Sequence, residues 1–209
     1  MNSNYKEFPN TGFYQTKLTD NELFSIKKEI DSIQENFNSS TSFNNNLAGN
    51  LDHEYVLRDS KQSLEELLVP LIQEYNNTCG ILGNYNIMNK SLPLYLDTAW
   101  VNFQGKHEFN PNHNHEGVLS FVIWITVPYN LNEELNTGLG KKSNHNVPGA
   151  FEFQYTSTTG QILKYTIPVD KEMENSIIVF PASMTHCAYP FSLSEDYRIS
   201  VSGNFKLLA

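Results

Sequence analysis

Two cysteines, Cys79 and Cys187, are all the thiol chemistry in this chain of 209 residues, and no CxxC spacing joins them. That excludes a disulfide framework and a cysteine-rich zinc module, and it suits a reducing compartment with two plain buried thiols. Positive charge is also scarce: 14 Lys and Arg face 23 Asp and Glu, for a net charge of −9. Long nucleic acids and anionic membranes require a basic face, so the balance argues against both as main partners. The adjacent cationic pairs are Lys27-Lys28 and Lys141-Lys142. No uninterrupted apolar run reaches about 18 residues, and the opening MNSNYKEFPN has neither a charged leader nor an apolar stretch, so the expected location is cytoplasmic.

Aromatic residues are plentiful, with 13 Phe, 11 Tyr and 2 Trp, and hydrophobic residues make up 39% of the chain. At this length that is enough for one sizeable core. The reading is a single domain over 1–209, with a helical part at 1–78 and a β core at 92–206. Thr19-Asp20-Asn21 offers an N-cap, after which Leu23, Ile26, Ile30, Ile33 and Phe37 recur at helical spacing to about Asn38. Residues 38–54 have no period and read as a loop, long enough for a lid or a substrate-contacting segment. A second helix is predicted from Ser63, where Ser-Leu-Glu-Glu matches a capping box, to about Asn77, bent at Pro70.

From Leu92 the period shifts toward two. Strands are predicted at 94–104, 118–127, 150–155, 162–169, 176–180, 186–191 and 197–205. Seven or eight strands behind two helices give a mainly β fold, an antiparallel sandwich or jelly roll with the helices packed on one sheet. Leu119 to Val127 is apolar on both faces apart from Ser120 and Thr126, as a strand between a second sheet and helices must be.

The chemistry concentrates at three places. His113 and His115 stand at i and i+2 before that apolar strand, so in extended chain both rings can face the same way and share a metal ion. A polar loop tip is the other reading of such a pair. His186 follows a strand stopped by Pro181, and one distant histidine added to a sequence pair builds a three-ligand facial site that leaves positions open for substrate and oxygen; a structural histidine near a strand end is the alternative. Arg198, in YRISVSGNF, shares a face with Ser200 and Ser202. Its fork suits a carboxylate, although an ordinary surface face with an ion pair to Glu195 or Asp196 also fits. His107 and His145 read as loop residues, with His145 within reach of the site mouth, and Glu116 has the wrong parity to join His113.

The ordered set HNH, LSFVIWI, FPASMTH and RISVSGN resembles the iron(II)- and 2-oxoglutarate-dependent dioxygenases. The similarity runs from Asn44 onward and is greatest to their phage-type branch, with which NNNLAGNLDHEY also agrees; a phage-encoded copy would work in the host cytoplasm. The resemblance implies a double-stranded β-helix, Fe(II) as cofactor and 2-oxoglutarate as co-substrate. It implies His113, His115 and His186 as metal ligands, with Arg198 on the far carboxylate of 2-oxoglutarate and Ser200 supporting it. Asn102 and Trp124 are weaker candidates for the co-substrate pocket, each equally open to plain packing. The implied reaction is oxidative decarboxylation of 2-oxoglutarate to succinate, coupled through molecular oxygen to hydroxylation of an unidentified prime substrate. His115 departs from the family pattern, which has Asp or Glu there, and this argues against halogenation. Two other classes stay open: a cupin-like three-histidine enzyme without 2-oxoglutarate, and a non-catalytic jelly-roll binding or virion protein. Substrate contacts are expected from loops 38–54 and 130–149, and the sequence does not reveal the oligomeric state.

Overall fold

The computed structural model describes residues 10–37, 42–44, 47–85, 94–137, 139–142 and 144–208. Ten strands form two antiparallel sheets among these residues. The larger sheet contains β1 (Tyr14–Lys17), β2 (His53–Val56), β3 (Leu94–Gln104), β5 (Leu119–Thr126), β8 (Ser176–Pro181) and β10 (Arg198–Leu207), in the order β1-β8-β5-β10-β3-β2. The smaller contains β4 (Asn110–His113), β6 (Phe151–Thr156), β7 (Ile162–Ile167) and β9 (Thr185–Ala188), in the order β4-β9-β6-β7. This is the jelly roll expected from the alternating periods.

Helices α1 (Phe24–Glu35) and α2 (Lys61–Cys79) cover the outer face of the larger sheet. Ile26 and Ile30 of α1 and Leu64, Leu68 and Ile72 of α2 bury against Val101, Phe103, Phe121, Ile123 and Val201. A second core lies between the sheets, where Val122, Trp124, Ile178 and Phe180 meet Phe151, Phe153 and Ile167. β5 therefore feeds both cores, odd residues to the helices and even ones to the opposite sheet, which explains its unbroken apolar run.

The first 78 residues are not purely helical. β1 pairs with β8, and β2, which begins in the last two residues of the expected 38–54 loop, pairs with β3. Four-residue strands carry too little alternation to stand out, and they form because a larger sheet offers them an edge. Residues 38–41 and 45–46 of that loop lie outside the described residues. Part of the expected 130–149 loop is helical, as α3 (Leu131–Asn136), capped by the Asn130 side chain.

The helix starts also differ in detail. The capping box is at Thr19–Glu22, where the Thr19 N–H donates to Glu22 Oε2 at 2.7 Å and the Glu22 N–H returns to Thr19 Oγ1 at 3.3 Å. Ser63 lies inside α2. The amino end of α2 is held from α1 instead, because the Glu29 carboxylate accepts the N–H groups of Arg58, Asp59 and Ser60 and the Ser60 hydroxyl. Pro70 is accommodated within α2, which ends at the left-handed Gly80. Cys187 is buried, whereas Cys79 is exposed, contrary to the expectation for both.

Candidate active site

The histidine pair is not at the head of the apolar strand, as the spacing alone indicates. His113 is the last residue of β4, in the smaller sheet, and His115 follows it in the crossing to β5 in the larger sheet. Gly117 makes that crossing possible: its φ is 110°, and a Cβ there would lie 2.7 Å from the Phe205 carbonyl oxygen. The ladder of β4 on β9 sets His113 directly opposite His186. The three rings converge, with centroids 4.3 Å apart for His113–His186, 4.8 Å for His113–His115 and 5.1 Å for His115–His186.

This donor set fits a metal ion. One ring nitrogen from each histidine lies within 4.8 Å of the others. Nδ1 of His113 is 2.7 Å from the Pro111 carbonyl, and Nδ1 of His186 is 2.9 Å from the Met184 carbonyl. A carbonyl only accepts, so each Nδ1 carries the hydrogen and each Nε2 keeps its lone pair. Burial lowers the pKa of all three imidazoles, and at His115, where His113 adds to the effect, the value falls to about 4. The rings are therefore neutral ligands near pH 7. Glu116 is exposed and outside the group. His145 pairs instead with Glu152 at 3.3 Å, and His107 lies in a turn.

Arg198 is 3% exposed and donates to four neutral oxygens: the Tyr129 hydroxyl at 3.0 Å, the Tyr189 carbonyl at 3.2 Å, the Gly149 carbonyl and the Gln104 amide. Among the described residues no carboxylate lies within ion-pair distance, and neither Glu195 nor Asp196 supplies one; Glu195 instead pairs with Lys106. A buried guanidinium without an anion is costly, and a carboxylate is the complement that would offset the cost.

The other expected residues fall into one transverse row. Trp124 of β5 is opposite Ser200 of β10, Ser200 is opposite Asn102 of β3, and Asn102 is opposite Glu54 of β2. Directly opposed residues share a face, so all four turn toward the cavity that His113, His115, His186 and Arg198 also line. Asn102 donates to Ser200 Oγ and Ser202 Oγ, both at 3.3 Å, and accepts from Trp100 Nε1 at 3.1 Å. Trp124 packs edge-on to Phe151 at 5.8 Å.

Sequence reasoning missed Gln104, Tyr129 and Glu54. Gln104 was within reach, since it shares the parity of Asn102 on the same strand. Tyr129 lies beyond the end of β5 and Glu54 in a strand too short to read.

The sequence profile of a family described as "Putative 2OG-Fe(II) oxygenase" matches residues 98–204, just over half of the chain, and includes the three histidines and Arg198. No curated protein matches. Among solved structures, a prolyl-4-hydroxylase from Pseudomonas putida superposes with a TM-score of 0.57 at 13% identity, covering 94% of this chain and 93% of that one. A Trichoplax adhaerens prolyl hydroxylase, solved with a hypoxia inducible factor peptide fragment, gives 0.55 at 12%, covering 94% and 84%. The α-ketoglutarate-dependent epimerase SnoN from nogalamycin biosynthesis gives 0.55 at 12%, covering 94% and 76%. At these identities the structures establish a shared fold. Among the described residues no helix is long and apolar enough to cross a membrane. Profile and fold together make this chain a member of the 2OG-Fe(II) oxygenase family, an oxidoreductase family that uses iron(II) and 2-oxoglutarate.

Proposed function

We propose that the protein hydroxylates a carbon–hydrogen bond of a prime substrate, coupled to decarboxylation of 2-oxoglutarate to succinate. The reading rests on one observation: three neutral imidazoles and a buried arginine without an anion face the same cavity. Iron(II), when bound, supplies the oxygen activation and the oxidative decarboxylation. His113, His115 and His186 would hold it, through Nε2 of His113 and His186 and one ring nitrogen of His115.

Arg198 would bind the far carboxylate of 2-oxoglutarate. The carboxylate would share the guanidinium with the Gln104 amide oxygen and the Tyr129 hydroxyl, the two side-chain acceptors, while the Gly149 and Tyr189 carbonyls hold its other edge. Ser200 and Asn102, linked to each other, flank the co-substrate, and Trp124 with Phe151 keeps water from its apolar stem. With histidine in place of the carboxylate ligand, the protein supplies no negative charge directly to the metal, so 2-oxoglutarate becomes its main anionic partner. Two proteins of the same fold are prolyl hydroxylases, which supports the choice of hydroxylation.

Anaerobic titration with iron(II), with and without 2-oxoglutarate, tests this by the metal-to-ligand charge-transfer band, followed by succinate release in air. Iron binding without any response to 2-oxoglutarate would replace the reading with a cupin-like one, and absence of iron binding would remove both.

A further inference from the structure

Glu54 completes the transverse row and has no part in the chemistry assigned so far. Its side chain is fully buried, and among the described residues neither carboxylate oxygen has a hydrogen-bond partner. Such a group is costly to bury and calls for a complement. The segment 47–51 closes over it from the solvent side: Gly49 lies so near that a Cβ there would be 2.8 Å from Glu54 Oε1. Asn50 fastens that segment by donating its N–H to the Phe109 carbonyl at 2.9 Å. The carboxylate is therefore covered on that side and forms part of the cavity wall.

A second orphan lines the same cavity, because Asn110 Oδ1 is buried without a partner among the described residues. Nearby, Glu108 accepts the N–H groups of Asp52 and Gly105, which keeps another carboxylate beside this end of the pocket. Arg198 stands at the other end. Two strand spacings across and two residues along the sheet separate it from Glu54, roughly 12 Å at the backbone. The cavity is thus polarised, cationic where the co-substrate carboxylate is expected and rich in acceptors at the far end. Burial first, and the charge of Glu108 second, push the Glu54 carboxyl up to about 7. A cation beside it would relieve both effects.

We propose that the prime substrate carries a protonated nitrogen, an ammonium or guanidinium, which Glu54 receives through its carboxylate with Asn110 as a second acceptor. Glu54 is then a specificity-determining residue, and the proposal rests on the reading of this cavity as the oxygenase site. A carboxylate with two unpartnered oxygens prefers a donor-rich cation to a hydroxyl or amide, which would leave its charge uncompensated.

The test uses the full-length protein loaded anaerobically with iron(II) and 2-oxoglutarate. The probes are n-butylammonium and n-butylguanidinium chloride, set against the neutral n-butanol and n-butylurea, with binding followed by ligand-observed NMR. The wild type is expected to bind at least one cation about tenfold or more tighter than its neutral counterpart, a preference that Glu54→Gln abolishes while neutral binding is unchanged. Equal binding of cations and neutral probes, no detectable cation binding, or a preference that survives in Glu54→Gln overturns the proposal. So does a Glu54→Gln protein that loses iron(II) affinity but keeps the cation preference, since the charge would then serve the metal. The charge-transfer band is recorded in the same samples: its absence refutes the oxygenase reading, and its presence without cation preference refutes only the role of Glu54.

Discussion

Replacing Arg198 by Met separates the co-substrate clamp from the metal site. Met keeps most of the buried volume and removes the charge and the fork. A bidentate guanidinium–carboxylate contact contains two charge-assisted hydrogen bonds of about 1.5–3 kcal/mol each, and together these are worth about 3–6 kcal/mol in a buried site. The affinity for 2-oxoglutarate should therefore fall by about 10²- to 10⁴-fold. Two of the four acceptors keep a donor, the Gly149 carbonyl from the Tyr129 hydroxyl at 3.2 Å and the Tyr189 carbonyl from the Gln104 amide nitrogen at 3.3 Å, and that nitrogen also stays on the Glu108 carbonyl at 2.6 Å. The variant should accordingly fold, and since no atom of Arg198 belongs to the histidine cluster, its iron(II) affinity should match the wild type. Anaerobic calorimetry of iron(II) and then of 2-oxoglutarate reads both constants in one sample. An unchanged 2-oxoglutarate constant would refute the assignment, and a parallel loss of iron would show that Arg198 acts through the fold. Arg198→Lys should fall between the two, keeping the charge and losing the fork.

His186→Ala should lose stoichiometric iron(II) after desalting while keeping its fold, as read by metal analysis and circular dichroism; full iron content would remove His186 from the ligand set. Gly117→Ala forces a side chain onto the Phe205 carbonyl at positive φ and should cost about 1–3 kcal/mol, seen as a lowered Tm. Burial pushes the Glu29 carboxyl up, but hydrogen bonds from Ser60, Arg58 and Asp59 outweigh it and hold the folded value below the ordinary 4.5. Its contribution to stability is then fully present above the unfolded value and is lost as pH falls through the folded one. Glu29→Gln should weaken the hold on α2 near neutral pH and flatten the acid limb of a urea-midpoint profile. A profile parallel to the wild type would contradict this.

Much of the larger sheet was legible because its strands are long and buried on both faces. Leu94–Gln104 was read at its observed bounds, and the parity of Arg198, Ser200 and Ser202 held. The histidines were legible through order and spacing, but not the element that carries them. An HxH pair reads the same at the end of a short strand as at the head of a long one, and only pairing with β9 decides between them. Glu54 was illegible for a different reason. β2 is four residues long, with Glu54 facing the cavity and Tyr55 facing the helices, so nothing in its own pattern marks the carboxylate as inward. The four acceptors around Arg198 were also hidden, since two are backbone carbonyls and carry no sequence signal.

The row Trp124, Ser200, Asn102 and Glu54 draws one residue from each of four neighbouring strands at a single height. A slip of one residue in any of these strands would exchange its inward and outward faces. In β2 such a slip would send Glu54 toward the helices and turn His53 or Tyr55 into the cavity. Strand registry and substrate recognition are therefore one constraint, and a misregistered fold would forfeit the pocket before it lost the sandwich.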